Sequence, residues 1–243
     1  MLILVFDTST RNGTVGWVKL EENDDFPKVL DFAHMYLPAI PGHAERLLER
    51  LEFCLKSGGF NIGDVDLIVI GRGPGTFTGL RIGFSTAKSL SLVHRFPLVT
   101  VSTLEMLACN APAPGHVVAL IDARRKEVYA GVFERSSVNG YPCAIPIGEE
   151  VVTSPLQISE LLSCRNIFTP VQLVGDGAIA YASQFASLGV SALAPSVAIH
   201  SCHMAIHGFL SYKKNGAVNT ALVEPEYLRE PDARKPSKPF GLN

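Results

Sequence analysis

The side chains best suited to chemistry near the start of the chain are an aspartate and three hydroxyls. Asp7 ends an apolar run that begins at Leu2, and Thr8, Ser9 and Thr10 follow it. Hydroxyls and turn amides bind phosphate well, and a carboxylate can face a metal-bound water. The same residues also fit an ordinary turn in which short polar side chains bond to the backbone. Both interpretations stay open for a residual phosphate site at Asp7, Thr8 and Ser9.

Histidines and cysteines offer a second kind of chemistry. His203 and His207 are four residues apart, which places them on one face of a helix, and His200 lies one turn earlier. No carboxylate occurs from His200 through His207, so we predict no metal site there. Cys109 or Cys164 would need a nearby histidine to act as a nucleophile, and a buried, inert thiol is the default expectation.

The composition is that of a globular chain. With 243 residues, 47% hydrophobic and 18% charged, it can bury a sizeable core in one or two lobes. A formal net charge of −2 gives no basic field, so we expect contact with tRNA only through a complex. The five cysteines form no C-x-x-C pair and follow no signal-peptide pattern, which indicates a reducing cytoplasm. No apolar run is long enough for a bilayer, so no membrane contact is expected.

The elements that must position these residues centre on a glycine-rich stretch. An apolar run ends near Ile70, and Gly71, Gly73 and Gly75 follow before a helical pattern begins, with Thr78 as its expected N-cap. A strand, a glycine turn and a helix N-terminus can cradle an anion. However, the P-loop and G-x-G-x-x-G patterns are both absent. We therefore favour a tight strand-to-helix connection over a phosphate cradle.

The order of predicted elements repeats along the chain. Strands and helices follow the order β-β-β-α-β-α up to about residue 94, with a further short strand near residue 100, and a similar series starts again at Val117. Asp7 and Asp122 occupy the same place in each half. We predict a first lobe at residues 1–103, a second at 104–196, and a segment from about 197 to 243 that packs back on the first. The duplicated unit is similar to the two-lobed actin/sugar-kinase/Hsp70-like, or ribonuclease H-like, α/β fold.

The glycine-rich stretch also carries a family resemblance. Residues 73–83 read Gly-Pro-Gly-Thr-Phe-Thr-Gly-Leu-Arg-Ile-Gly, which resembles the signature of the bacterial TsaB (YeaZ) family. Four further segments resemble the same family, in the family's order and over nearly the whole chain: residues 6–10, 101–105, 121–125 and 224–229. The resemblance implies the same actin-like fold.

That fold implies where a nucleotide would sit. Phosphates lie between two Asp-bearing hairpins, and adenine lies on a glycine turn of the second lobe, which here corresponds to Gly175, Asp176 and Gly177. Asp122 is followed by Ala123 and two arginines instead of glycines, so backbone approach to a phosphate is lost on that side. We predict no catalytic residue, no required cofactor, and at most weak contact with ATP or ADP.

The resemblance also bears on metal binding. The catalytic relative TsaD, which is glycoprotease-like, carries a His-x-x-x-His pair on its first-lobe helix. In this chain His43 is followed four residues later by Leu47. Because one of the two imidazoles is missing, we predict no metal site.

The two first-lobe helices suggest a protein partner. Both are apolar on more than one face, which favours a partner surface, although a thick core between the lobes would account for the same pattern. In the TsaB family these helices pack into a bundle with a second copy or with TsaD. The predicted interface consists of Leu47, Leu48, Leu51, Leu55, Gly79, Leu80, Gly83, Phe84, Ala87 and Ser91.

The resemblance then implies a function. The chain would be a noncatalytic partner and activator of TsaD, with the ATPase TsaE joining, in threonylcarbamoylation of the tRNA adenosine beside the anticodon. A homodimer is also expected. One alternative is an independent ATP-dependent, kinase-like or glycoprotease-like hydrolase that uses Asp7, Asp122 and the glycine turns. Another is a homodimeric structural module without a TsaD partner.

Overall fold

The chain forms two mixed β-sheets with helices packed on them. The structure, a computed structural model, describes residues 1–23, 26–37, 46–168, 170–185, 189–194 and 198–229. The strands are β1 Leu2–Asp7, β2 Gly13–Glu21, β3 Lys28–Leu37, β4 Leu67–Gly73, β5 Leu98–Ser102, β6 Gly115–Arg124, β7 Glu127–Val138, β8 Tyr141–Pro146, β9 Val151–Thr153, β10 Val171–Val174 and β11 Val190–Ala194. The helices are α1 Leu47–Ser57, α2 Phe77–His94, α3 Thr103–Ala108, α4 Ile158–Cys164, α5 Asp176–Ala180 and α6 Ser201–Asn215.

The first sheet has the strand order β3-β2-β1-β4-β5. β1 is antiparallel to β2 and parallel to β4, so that Leu4 lies between Trp17 and Ile68. β4 is parallel to β5, and β2 is antiparallel to β3. The two parallel pairs require crossovers, which α1 and α2 supply.

The second sheet repeats this pattern. Its order is β11-β10-β6-β7-β8, with β9 paired separately to β7. β6 is antiparallel to β7 and parallel to β10, as β1 is to β2 and β4. The predicted duplicated α/β fold is therefore confirmed.

Several predicted bounds need correction. The sequence predicts none of α3, β8 and β11. It also predicts that the helix after Val174 runs to about Leu188, whereas α5 ends at Ala180 and is followed by a short 3-10 turn. α2 begins at Phe77 with Thr76 as its N-cap, so the predicted cap at Thr78 is wrong. The sequence also predicts that the first helix opens at Gly42, and this position lies outside the described residues, as does the C-terminal arm beyond Arg229.

The core is divided by the first sheet. Alternate residues of β1, such as Leu4 and Phe6, pack in one cluster with the buried faces of α1 and α2. Ile3 and Val5 point the other way, into a cluster shared with α3, α6 and the second sheet. α6 contacts all five strands of the first sheet, so the two lobes meet through a continuous apolar core. Across the described residues, no helix combines the length and apolarity that crossing a membrane requires.

Candidate functional site

Asp7 is enclosed by the first lobe. Its side chain is 2% exposed. Oδ1 accepts hydrogen bonds from the Ser9 amide at 3.1 Å and the Ser9 hydroxyl at 2.8 Å, and Oδ2 lies 3.4 Å from the Thr103 hydroxyl. Burial raises the pKa of Asp7 because it disfavours the charged form, while the bonds from Ser9, Thr10 and Thr103 act in the opposite direction. Both carboxylate oxygens thus bond within the fold.

The glycine-rich turn packs directly onto the residues after Asp7. A Cβ atom at Gly75 would lie 2.3 Å from the Ser9 carbonyl oxygen, and one at Gly79 would lie 1.9 Å from the Thr8 carbonyl oxygen. The Thr8 hydroxyl donates to the Gly79 carbonyl at 2.7 Å, and the Thr76 amide donates to the Ser9 carbonyl at 2.6 Å. The interpretation of this stretch as a tight strand-to-helix connection is confirmed. Protein atoms occupy the space beside Thr8 and Ser9.

Asp122 is also engaged by its neighbours. Its Oδ2 lies 3.8 Å from the Arg11 guanidinium. Its Oδ1 accepts from the Arg124 amide at 2.8 Å and from the Tyr181 hydroxyl at 3.3 Å. The carboxylate is therefore held at the end of β6 by a cation, an amide and a phenol.

The predicted adenine turn packs on β6. Gly175 has φ +98°, and a Cβ there would lie 2.2 Å from the Leu120 carbonyl oxygen. A Cβ at Gly177 would lie 3.0 Å from the backbone of the same strand. Asp176 Oδ1 accepts from the Asp122 amide at 3.0 Å, and burial raises the pKa of Asp176. The turn serves strand-to-helix packing, as Gly73–Gly79 does in the first lobe.

The β6–β7 hairpin ends in a basic tip with unusual backbone geometry. Arg124, Arg125 and Lys126 have φ of 61°, 55° and 63°. Two-residue hairpins prefer Asn-Gly at such positions, because side chains with a Cβ are strained there, by about 1–3 kcal/mol per residue. The tip therefore presents cationic side chains where a phosphate-binding hairpin would present glycine backbone.

A cavity of about 370 Å³ lies between the lobes. Phe77 and Tyr227 form one wall, with ring centroids 5.3 Å apart, and Arg229, which donates to Glu127 at 2.9 Å, forms another part. Its lining residues are Gly75, Thr76, Phe77, Thr78, Asp122, Ala123, Arg124, Tyr129, Tyr227 and Arg229. The six residues of the predicted nucleotide site, Asp7, Thr8, Ser9, Gly175, Asp176 and Gly177, are not among them.

The predicted partner interface requires a correction. In this chain nine of its ten residues are buried in the chain's own core. A buried side chain cannot contact a partner unless the core opens, so these residues hold α1 and α2 on the first sheet instead. Only Leu48 is exposed, at 59%. The nine residues that are buried, and for which the predicted interface role is wrong, are Leu47, Leu51, Leu55, Gly79, Leu80, Gly83, Phe84, Ala87 and Ser91.

The accessible faces of α1 and α2 carry a different apolar set. Leu48 and Phe53 on α1 are 59% and 65% exposed, and Leu92 and Val93 on α2 are 65% and 75% exposed. Two cavities of about 300 Å³ each are lined by Leu48, Leu90 and His94. Val93 lines one of them, and Phe53 and Leu92 lie outside both. We call this surface the α1–α2 groove.

Small residues on α2 shape one side of the groove. Ser85 and Ser89 line the cavity that also contains Leu48 and Val93. They are four residues apart, so they form a second small stripe beside the buried one. This spacing is visible in the sequence, but choosing between the two stripes requires knowing which face meets the sheet.

A thiol–histidine arrangement was missed because its members are distant in sequence. Cys109 Sγ lies 3.6 Å from His207 Nε2, and His207 Nδ1 lies 3.0 Å from Glu105 Oε1. The sequence leaves open whether Cys109 has a nearby histidine, and the structure places His207 beside it. Within the described ranges, no group of three or more His, Cys, Asp or Glu residues has the arrangement of a metal site, and His43 lies outside those ranges.

The paired sheets of identical strand order define the class: a two-lobed α/β protein with the ribonuclease H-like, actin-like fold. A family model described as TsaD, tRNA N6-adenosine threonylcarbamoyltransferase, matches residues 38–235. The tRNA threonylcarbamoyladenosine biosynthesis protein TsaB of Haemophilus influenzae is 30% identical over 94% of each chain, and that of Bacillus subtilis is 28% identical over 96% of each chain. YeaZ from Pseudomonas aeruginosa, a solved structure, aligns with a TM-score of 0.73 and 26% identity over 93% of this chain and 99% of its own. The chain belongs to the TsaB (YeaZ) family.

Proposed function

We infer that the chain takes part in tRNA threonylcarbamoyladenosine biosynthesis, and we propose that it does so as a noncatalytic partner of TsaD. The inference is supported by relatives named for that pathway at 30% and 28% identity over nearly the whole chain. TsaE joins the complex in this proposal, and tRNA is reached only through it. All five cysteines are free thiols, which is consistent with a protein of the reducing cytoplasm.

The observation that carries the proposal is the α1–α2 groove. Four large apolar side chains are more than half exposed on two neighbouring helices: Leu48, Phe53, Leu92 and Val93. Burying each one would contribute about 1.5–3 kcal/mol. Ser85 and Ser89 allow a partner helix to approach α2 closely. We propose that a helix of TsaD occupies the groove, and that a second copy of this chain uses the same surface in a homodimer.

The state of the first hairpin supports a role without independent catalysis. A carboxylate that positions a metal-bound water must face the ligand. Asp7 is 2% exposed, and its oxygens bond to Ser9 and Thr103. The opposite hairpin ends in Arg124, Arg125 and Lys126, which present no glycine backbone. Stabilisation of a phosphoryl transition state requires preorganised groups on both sides.

Reconstituted tRNA modification tests the proposal. Threonylcarbamoylation of tRNA is measured with ATP and an activated threonylcarbamoyl donor, using TsaD and TsaE from the same organism with and without this chain, and this chain alone. We expect the chain alone to produce no modified tRNA and its addition to stimulate TsaD. ATP hydrolysis by the purified chain with magnesium is measured in parallel and should be absent.

Two results would contradict the proposal. Turnover of ATP or modification of tRNA by the chain alone would make it an enzyme in its own right. A chain that forms a homodimer but neither binds nor stimulates TsaD would be a structural module.

A further inference from the structure

Two thiols converge on one histidine at the junction of three elements. Cys109 follows α3, Cys143 lies on β8, and His207 lies on α6. Cys109 Sγ is 3.6 Å from His207 Nε2, and Cys143 is the second thiol whose interaction with His207 raises the pKa of that ring. The carbonyl oxygen of Pro142, the neighbour of Cys143, lies 3.3 Å from the same Nε2. Cys109 and the strand segment that carries Cys143 therefore meet at one imidazole ring, where α3 and β8 pack together.

Glu105 fixes the orientation of this ring. His207 Nδ1 donates a hydrogen bond to Glu105 Oε1 at 3.0 Å, which turns Nε2 towards the thiols. The His207 side chain is only 12% exposed. Burial lowers the pKa of His207, but the hydrogen bonds with Cys109, Cys143 and Glu105 outweigh it and raise the pKa to about 12. The imidazole can exchange a proton with a neighbouring thiol, and the thiolate is the form that attacks peroxides.

The thiols differ in access to solvent. Cys109 is 2% exposed, Cys143 is half-buried, and Cys164, elsewhere in the second lobe, is exposed. A small oxidant therefore reaches Cys143 before Cys109. If exposure alone decided reactivity, Cys164 would react before either. If the contact with His207 decides reactivity, Cys143 is oxidised first. If exposure decides it, Cys164 is oxidised first.

We propose that Cys109 and Cys143 form a peroxide-sensitive pair, in which hydrogen peroxide oxidises Cys143 and Cys109 then captures it as a disulfide. This modification site is independent of the proposed function. The disulfide would tie the end of α3 to β8.

The reaction balances with hydrogen peroxide as the only co-reactant. The Cys143 thiolate attacks one peroxide oxygen, the S–O bond forms, the O–O bond breaks, and protonated His207 gives a proton to the departing hydroxide. His207 then takes the Cys109 proton, and the Cys109 sulfur attacks the Cys143 sulfenic acid. The S–S bond forms and the S–O bond breaks. The departing hydroxide takes from His207 the proton that came from Cys109, and leaves as a second water. The two sulfurs are oxidised by two electrons in total, which reduce the peroxide.

Mass spectrometry of the full chain tests this site. The folded protein is treated with hydrogen peroxide, remaining thiols are alkylated, and the time course is followed by intact mass and peptide mapping. We expect a Cys109–Cys143 cross-link to form while Cys164 stays alkylatable. Cys109→Ser should stop at a sulfenic acid on Cys143 that dimedone traps, and Cys143→Ser should give no cross-link.

Matched variants separate the role of His207 from simple exposure. His207→Gln and, independently, Glu105→Gln should slow oxidation of Cys143 by about 10-fold or more, since each disturbs the cation beside the thiol. His94→Gln, at an exposed position on α2, should leave the rate unchanged. The proposal is overturned if Cys164 is oxidised before Cys143. It is equally overturned if no Cys109–Cys143 link forms in the folded chain, or if Glu105→Gln matches the unmodified rate.

Discussion

At the scale of single residues, Asp7 shows how a carboxylate at a strand end can serve the fold. Its neighbour across the sheet is Gly71, where a Cβ would lie 1.8 Å from Asp7 Oδ2. Only glycine leaves room for the buried carboxyl and for its bonds to Ser9 and Thr103. The sequence shows the aspartate and the glycine but not their contact, because they lie on different strands.

Replacing Gly71 tests this contact. Gly71→Ala should lower the free energy of unfolding by about 2–3 kcal/mol, because the added methyl group collides with a carboxyl that cannot move without breaking buried hydrogen bonds. Urea denaturation measures the change. Gly63→Ala is the control, since no heavy atom lies within 4 Å of a Cβ there. Equal stability of the two variants would refute the packing described for Asp7.

At the scale of elements, the sequence predicts which segments are helices and central strands better than which faces they present. Apolar periodicity identifies α1 and α2, but α2 has small residues on two faces, and packing on the sheet selects the Gly79–Ser91 stripe. The missed strands β8 and β11 both lie at sheet edges. β8 contains Pro142 and Pro146, which weaken a strand prediction yet are tolerated at an edge.

The start of α6 carries a histidine cluster with a measurable consequence. His34 on β3 stacks on His200, the N-cap residue of α6, with ring centroids 4.7 Å apart. The ring centroid of His203 lies 5.2 Å from that of His200. Burial and the neighbouring His200 lower the pKa of His34 to about 4. Burial, with His200, His207, Arg135 and His34 nearby, lowers the pKa of His203 to about 3. The folded chain therefore keeps these rings neutral.

Acid should destabilise the chain through this cluster. An unfolded histidine takes up its proton near pH 6.5, whereas folded His203 does so only near pH 3, so stability is complete above pH 6.5 and falls as the pH drops towards 3. From pH 7 to pH 5 the loss from His203 is about 2 kcal/mol. His203→Gln should flatten this dependence in urea denaturation at several pH values, and exposed His94→Gln should not. If the free energy of unfolding depends on pH with the same slope in both variants, the histidine cluster is not the cause of the acid destabilisation.

At the scale of the whole molecule, the lobes are joined by a shared core and by a C-terminal strap, residues 217–229. Within the strap, Glu226 pairs with Arg72 at 2.6 Å and Glu224 with Lys88 at 3.1 Å, both on the first lobe. Arg229 pairs with Glu127 on the second lobe at 2.9 Å. The duplicated order of elements is readable from the sequence. The strap and the thiol–histidine cluster are not, because their contacts join residues about a hundred or more positions apart.

This architecture leaves the α1–α2 groove as the exposed apolar surface that the first-lobe helices offer to a partner. Leu51 and Ala87 are unsuitable for testing it, since both are buried and a charge there would disturb the core. Leu48 is exposed beside both groove cavities, so Leu48→Asp changes the surface and spares the core. Leu156, 71% exposed on the second lobe, provides a matched control.

The affinity for TsaD from the same organism, measured by calorimetric titration, is the most direct test. We expect Leu48→Asp to weaken binding by about 100-fold, because a charge would be buried without a partner in an apolar contact. Leu156→Asp should bind as the unchanged chain does. Unaltered affinity of the folded Leu48→Asp variant would contradict docking through the groove.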